Sequence, residues 1–300
     1  MTNFMCQKFD DFRKIFRDEL DGSGNYNFQN GPLKNYCPKK KCNNDIDKVN
    51  AGCLWLLYDF FGKIGASVND KYKDYLVYIM IWLSYKLNQK TENEITKLND
   101  FYSNHIKDNT EYTNRKINDD TYGSYKDIID NIKEYMDIDI IHMSKFYELL
   151  KLLCKMNTAY KNNKSGDFSE HANNFFNKYK ELFNDDKNTK DSSYSKVLIV
   201  VSNDYNNIDK NRAFNYTKME RPSLPTEKTP KSVEAGGSKE IKKGDSSIET
   251  GQSDTVTIIL SPNTTLSASS LVDKLIPISF ILVVTIILLG IAYKFLNILY

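Results

Sequence analysis

Residues 37–61 read CPKKKCNNDIDKVNAGCLWLLYDFF, with Cys37, Cys42 and Cys53 inside seventeen positions. Thiols so spaced support three kinds of chemistry: metal ligation, dithiol exchange, or a structural disulfide. A structural zinc site draws four ligands, commonly as two close pairs. Cys37 and Cys42 make one pair and no second pair follows, while the only histidines, His105, His142 and His171, lie far apart in the sequence. The spacing is C-x4-C, not the C-x-x-C of redox enzymes. Two readings stay open: cysteines partly joined by disulfides in an oxidising compartment, or free thiols in a reducing one. In the first, one bridge could tie the Lys-rich loop to the helix bearing Cys53. Closing a loop of about fifteen residues is worth roughly 3 kcal/mol. Cys6 is then available for a second bridge. Cys154 sits on an apolar helical stretch, free or paired, and reads more readily as a buried free thiol. Five cysteines is an odd number, so at least one lacks an intramolecular partner.

Other stretches imitate sites without completing them. ELDGSGNYNFQN, Glu19 to Asn30, has the acids and the glycine of an EF-hand loop. Its twelfth position is Asn30, which cannot supply a bidentate carboxylate, and GPLKNYCP follows where an exiting helix is required. A turn-rich loop is the better reading. His142 and Cys154 are twelve residues apart in one segment, a spacing that turns them to different helix faces. No G-x-S-x-G, P-loop or H-E-x-x-H occurs. No catalytic residue, metal site or cofactor is expected. Lys39, Lys40 and Lys41 could touch an acidic partner or lipid headgroups, but a solvated loop is the better reading. Sequons stand at Asn163, Asn215 and Asn263, a pattern that arises easily by chance in an Asn-rich chain.

The elements that must position these residues are helical. Phe9, Phe12, Phe16 and Leu20 step at three and four along a first helix. Leu54, Leu57, Phe61 and Ile64 do so in a second. Leu76, Ile79, Leu83 and Leu87 do so in a third, with Trp82 and several tyrosines widening the stripe. Thr91 with Glu94, and Asp167 with Glu170, have the spacing of capping boxes. Between and after these boxes lie Ile128, Ile129, Ile132 and Met136, then Phe146, Leu149, Leu150 and Leu153, then Phe175, Phe176, Tyr179 and Phe183. SKVLIVV, 195–201, has the β-branched content of a strand but in this context reads as buried helix. The fold class is all-α, with few glycines and prolines for tight β turns.

Composition then shifts. RPSLPTEKTPKSVEAGGSKEIKKGDSSIETGQSDT, from Arg221 to Thr255, is too poor in large apolar residues to offset its ordering entropy. It reads as a disordered stalk, and with its flanks, about fifty residues, it has a reach of about 40 Å as a flexible coil. From Leu275 to Tyr293 nineteen residues carry no charge. At 1.5 Å per residue they cover roughly 28 Å, about one hydrocarbon core. The expected organisation is a helical cysteine-containing head at 1–212, a stalk at 213–272, a single transmembrane helix at 273–294 and a short tail at 295–300. No cleavable signal peptide is visible in MTNFMCQKFDDFRKIF. Asp273, Lys274 and Lys294 are too few charges to orient the span. A net charge of +2 with interspersed signs gives no case for nucleic acid.

Three stretches carry a resemblance: DELDGSGNYNFQNGPLKNYCP, KCNNDIDKVNAGCLWLLYDFF and KYKDYLVYIMIWLSYKLNQ. They are similar to the Plasmodium interspersed repeat (PIR) proteins of malaria parasites, particularly the rodent-parasite Yir/Bir/Cir branch. IPISFILVVTIILLGIAYK resembles that family's single span. The resemblance implies a variant antigen of blood stages, exported toward the infected red-cell membrane or other parasite-derived membranes. It implies a role in host interaction, antigenic variation or immune evasion, a host receptor or antibody as partner, and no enzymatic activity. By the same resemblance Cys6, Cys37, Cys42, Cys53 and Cys154 match the family's cysteine positions, with pairing left open. Members typically continue past the span into a short basic tail, whereas this sequence stops at Tyr300. The alternative reading is a tail-anchored scaffold or trafficking protein whose head faces the cytosol, with its thiols reduced.

Overall fold

Residues 2–63, 71–90, 95–115, 117, 122–209 and 219–229 are described in a computed structural model of the chain. Their helices, in order, are α1 (Thr2–Ile15), α2 (Asn30–Leu33), α3 (Asp45–Leu57), α4 (Tyr72–Asn88), α5 (Leu98–Phe101), α6 (Thr110–Thr113), α7 (Tyr125–Asp130), α8 (Ile140–Ser144), α9 (Phe146–Lys161), α10 (Ser165–Phe183) and α11 (Ser193–Asn207). The centre is α4. Every residue from Tyr75 to Leu83 is buried, so the helix is apolar all round, as a helix wrapped by others must be. It therefore exceeds the one-sided stripe that its spacing suggests.

Around α4 lie α1, α3, α8, α9 and α11. α1 contributes Met5, Cys6, Phe9 and Phe12 from one face. α3 is started by the Asn44 side chain, which accepts from the Asp47 N–H at 2.7 Å, and runs on into a wider turn at Tyr58–Gly62. Gly52 allows α3 to lie close against α4. A Cβ there would sit 2.6 Å from Trp82 Cη2 and 3.0 Å from the Phe16 ring. Trp82 meets Phe12 edge-on at 4.9 Å and Phe16 at 5.6 Å, which knits three elements at one point.

α9 and α10 form an antiparallel hairpin. Asn163 turns the corner at φ 54, and Lys164 donates its N–H back to the Ala159 carbonyl at 2.9 Å. α10 begins at Ser165, two residues before Asp167, so Asp167 lies inside the first turn and does not cap it. Thr91 and Glu94 lie outside the described residues. Just beyond them, Asp100 accepts from the N–H groups of Thr96 and Lys97 and opens α5. SKVLIVV is helical in α11, where Ser192 accepts from the Ser195 N–H and Val197, Leu198, Val200 and Val201 are buried.

Two departures from the expected fold have local causes. First, α1 stops at Ile15, and Phe16–Leu20 is a strand, β1, paired antiparallel with β2 (Tyr26–Phe28). The Asp21 carboxylate accepts from the N–H groups of Ser23 and Asn25, and Gly24 takes φ +75. This side-chain turn closes the hairpin. Phe16 packs on Tyr26 and Phe28 at 5.6 and 5.2 Å, so cross-strand contacts join those with Phe12 and Trp82 in burying it. The head is thus helix-dominated with one small hairpin, not purely α. Second, residues 219–229, expected within the stalk, lie on the head. Met219 is buried, Tyr205 donates to the Pro222 carbonyl at 2.8 Å, Arg221 pairs with Asp209 at 2.8 Å, and Lys228 donates to the Asp185 carbonyl at 2.8 Å. Among the described residues no helix is long and apolar enough to cross a membrane. The expected span, Leu275–Tyr293, the rest of the stalk, and Ile64, Asn215 and Asn263 lie outside them.

Candidate functional site

The cysteines fall into three situations. Cys6 and Cys154 are joined, tying α1 to α9 across 148 residues of sequence. Cys37 and Cys42 are joined across five. Cys53 is a free thiol with no exposed surface. The bridge sketched between the Lys-rich loop and Cys53 does not form. The loop closes on itself, and Cys154, read more readily as a free thiol, is the partner of Cys6. Cys53 faces Tyr112, and burial pushes its thiol up to about 12, which makes it inert as a nucleophile.

The short bridge shapes the Lys-rich loop. Lys34–Tyr36 and Pro38–Lys40 are single 3₁₀ turns. Within the second, Lys39 and Lys40 stand at φ 49 and φ 62, the left-handed region that disfavours side chains with a Cβ. Each such residue costs roughly 1–2 kcal/mol, so the surrounding covalent ring must hold them there. Lys34, Lys39, Lys40 and Lys41 are all exposed.

Beside the long bridge is a cleft of about 370 Å³, lined by Asp10, Arg13, Cys154, Lys155, Asp167 and His171 among others. At its back, four elements share a buried charge cluster. Arg13 of α1 pairs with Asp18 of β1 at 3.2 Å and donates to the Tyr147 hydroxyl of α9 at 3.1 Å. Tyr147 in turn donates to Asp18 Oδ1 at 2.5 Å. Lys86 of α4 donates to the carbonyls of Arg17 and Asp18 and to Gln89. Burial pulls its ammonium down to about 8, partly offset by the attraction of Asp18. These groups are satisfied mainly by one another, which is the mark of a structural network.

A second buried carboxylate is Asp204 of α11. Tyr78 of α4 donates to it at 2.8 Å and Thr2 of α1 at 3.3 Å. Burial chiefly, with Asp74 in support and the two donors opposing, raises Asp204 to about 6. Between its ordinary value of 3.8 and about 6 the folded chain binds a proton that the unfolded chain does not. The contribution is therefore present in full below 3.8 and lost as pH rises through 6. At roughly 1.4 kcal/mol per pKa unit, this group favours the folded head at pH 4 over pH 7 by at most about 3 kcal/mol. The Asp204→Asn variant is expected to lack that slope. Urea unfolding of both proteins at pH 7, 6 and 5 checks it, and parallel profiles would refute it.

Neither Asp204, Asp18 nor Lys86 is a residue that spacing singles out. Lys86 alone leaves a trace, as a lysine following the apolar run YLVYIMIWLSY. The histidines are not brought together: His105 follows α5, His142 is on α8, and His171 is on α10. Burial lowers His105, and His142 stands 3.9 Å from Asp139. Cys154, locked in its disulfide, offers His142 no thiolate. Among the described residues no group of three His, Cys, Asp or Glu side chains could hold a metal ion. Among the described residues, the lysine loop gathers several exposed cations that no ion pair engages.

Comparison with known proteins follows the same lines. Residues 6–294 match the family described as Plasmodium variant antigen protein Cir/Yir/Bir. Among solved structures, one titled "Structure of a Plasmodium PIR protein ectodomain" matches with a TM-score of 0.59 at 32% identity. The match covers 77% of this chain and all of that one. No curated protein matches. With a family match over nearly its whole length and the fold of a PIR ectodomain in its head, this chain belongs to the Plasmodium Cir/Yir/Bir variant antigen family.

Proposed function

We propose that this variant antigen displays its helical head to the host from the infected red-cell membrane. The apolar segment Leu275–Tyr293 is its single anchor, and the residues between head and anchor are its spacer. Its role is host interaction, antigenic variation or immune evasion, with a host receptor or antibody as partner. The observation that carries this reading is the pair of disulfides, Cys6–Cys154 and Cys37–Cys42. Such bridges persist in oxidising, extracytosolic surroundings and are rare where glutathione keeps thiols reduced. The related solved structure is titled an ectodomain, which agrees with the same side of the membrane.

The test is protease shaving of intact infected red cells expressing the full chain with an epitope tag near Ser246. Loss of the head from intact cells is the expected result. Cleavage only after permeabilisation would place the head inside, and a tail-anchored scaffold or trafficking protein would replace the present reading.

A further inference from the structure

We infer that the loop Lys34–Cys42 is a preorganised cationic site for a sulfated polysaccharide. The inference rests on the extracytosolic placement of the head proposed above.

Its first support is the covalent ring. A bridge spanning five residues links no distant elements, so it adds nothing to tertiary organisation beyond the loop itself. What it does is fix a strained backbone, with Lys39 and Lys40 consecutively in the left-handed region. Strain of this kind persists where a surface is held in shape for contact. The strained residues are both lysines.

The second support is the charge left uncommitted. Lys14, Lys63, Lys97 and Lys126 each lie on a carboxylate. Lys34, Lys39, Lys40 and Lys41 have no such partner among the described residues. Acids close by are engaged elsewhere. Asp45 is held by Lys48 and Lys90, and Asp47 accepts from the Asn43 N–H. On the other flank, Arg115 lies over the Tyr36 ring at 5.2 Å and donates to the Asn35 carbonyl, with Glu111 as its ion partner. The loop therefore projects four cations, with a fifth neutralised at its base.

The chemistry of the loop selects the ligand. Clustered lysines on an exposed loop complement closely spaced sulfates, a pattern shared by heparin-type sites. A membrane fits less well. Leu33 and Cys37 are buried beneath the loop, so they add no apolar insertion to its charge. The anionic leaflet is moreover the cytoplasmic one, whereas disulfides belong to the other side.

The experiment uses the full-length chain in nonionic detergent and measures binding to immobilised heparin at about 0.15 M salt, where only close charges still interact. Reversal of two loop charges in Lys39→Glu/Lys40→Glu is expected to weaken binding by about tenfold or more. The same charge change in Lys187→Glu/Lys190→Glu, also at exposed lysines, is expected to weaken it by less than about twofold. Opening the ring in Cys37→Ala/Cys42→Ala keeps every lysine and is expected to weaken binding about threefold through lost preorganisation. Equal losses in the two lysine pairs, or no binding to heparin, would overturn the proposal. Loop-dependent binding to phosphatidylserine vesicles without binding to heparin would overturn it in favour of a membrane contact. Shaving of intact cells reports placement alone, and heparin binding reports the loop alone, so either reading can fail without the other.

Discussion

The variant Cys6→Ala/Cys154→Ala is expected to lose about 5 kcal/mol of folding stability, while Cys37→Ala/Cys42→Ala is expected to lose at most about 2 kcal/mol. The difference follows from the lengths of chain that the bridges close, 148 residues against five. In the chain-entropy account a crosslink acts on the unfolded ensemble, and the cost removed grows with the logarithm of loop length. Native contacts point the same way. α1 has only 14 residues, too few for a helix to persist alone in water, and it is held by its face of Met5, Cys6, Phe9 and Phe12 and by the bridge to α9. A loss of this size is a large share of the 5–15 kcal/mol typical of a domain. Urea midpoints of the two variants, read by tryptophan fluorescence and by far-UV ellipticity, check the order. Trp82 lies fully buried beside Phe12 of α1, so its emission reports the detachment of that helix. A Cys37/Cys42 variant as unstable as the Cys6/Cys154 variant would refute the assignment of roles.

What the sequence made legible follows from how local each cause is. The stripe of α4 and the helix over SKVLIVV are periodic patterns completed within one element, and both can be read from spacing alone. The hairpin at 16–28 was open to a helical reading because Phe9, Phe12 and Phe16 keep helical spacing across the boundary. What makes Phe16–Leu20 a strand is the hairpin turn at Asp21 and Gly24, several residues downstream. Cysteine pairing is a distant property. Nothing near Cys154 announces Cys6, and Cys53 is unpaired because α3 carries it into the core, away from the lysine loop. Residues 219–229 have the Pro, Ser and Thr content of a linker, yet a single buried Met219 and the Arg221–Asp209 pair keep them on the head. Composition measures what a segment could bury by itself, not what a neighbouring surface supplies. The buried charges were the least legible part, since Arg13, Asp18, Lys86 and Asp204 look like ordinary surface residues until their neighbours are known.

Asp18→Ala is expected to cost about 3–5 kcal/mol, the range for breaking a buried ion pair from one side. Asp18 is only 6% exposed, and it receives both the Arg13 guanidinium at 3.2 Å and the Tyr147 hydroxyl at 2.5 Å. Arg13 already has one buried nitrogen, Nη2, without a hydrogen-bond partner. Without Asp18 its remaining carboxylate is Asp10 at 2.8 Å, a side chain half in solvent. The guanidinium would stay charged and largely buried beside an unsatisfied phenol, and Lys86 would lose a favourable neighbour. Removing both charges relieves this. Arg13→Met/Asp18→Leu fills similar volume without a buried ion, and is expected to be less destabilised than Asp18→Ala alone. The single variants Arg13→Met and Asp18→Leu complete a double-mutant cycle, which separates the pair's net contribution from the penalty of leaving one partner behind. Denaturant unfolding of these variants and of Asp18→Ala beside the parent protein measures it. A cost for Asp18→Ala below about 1 kcal/mol, the range of exposed ion pairs, would mean that water reaches this cluster. The join of α1, β1 and α9 would then rest on the disulfide and the aromatic core, with little contribution from the charges between them.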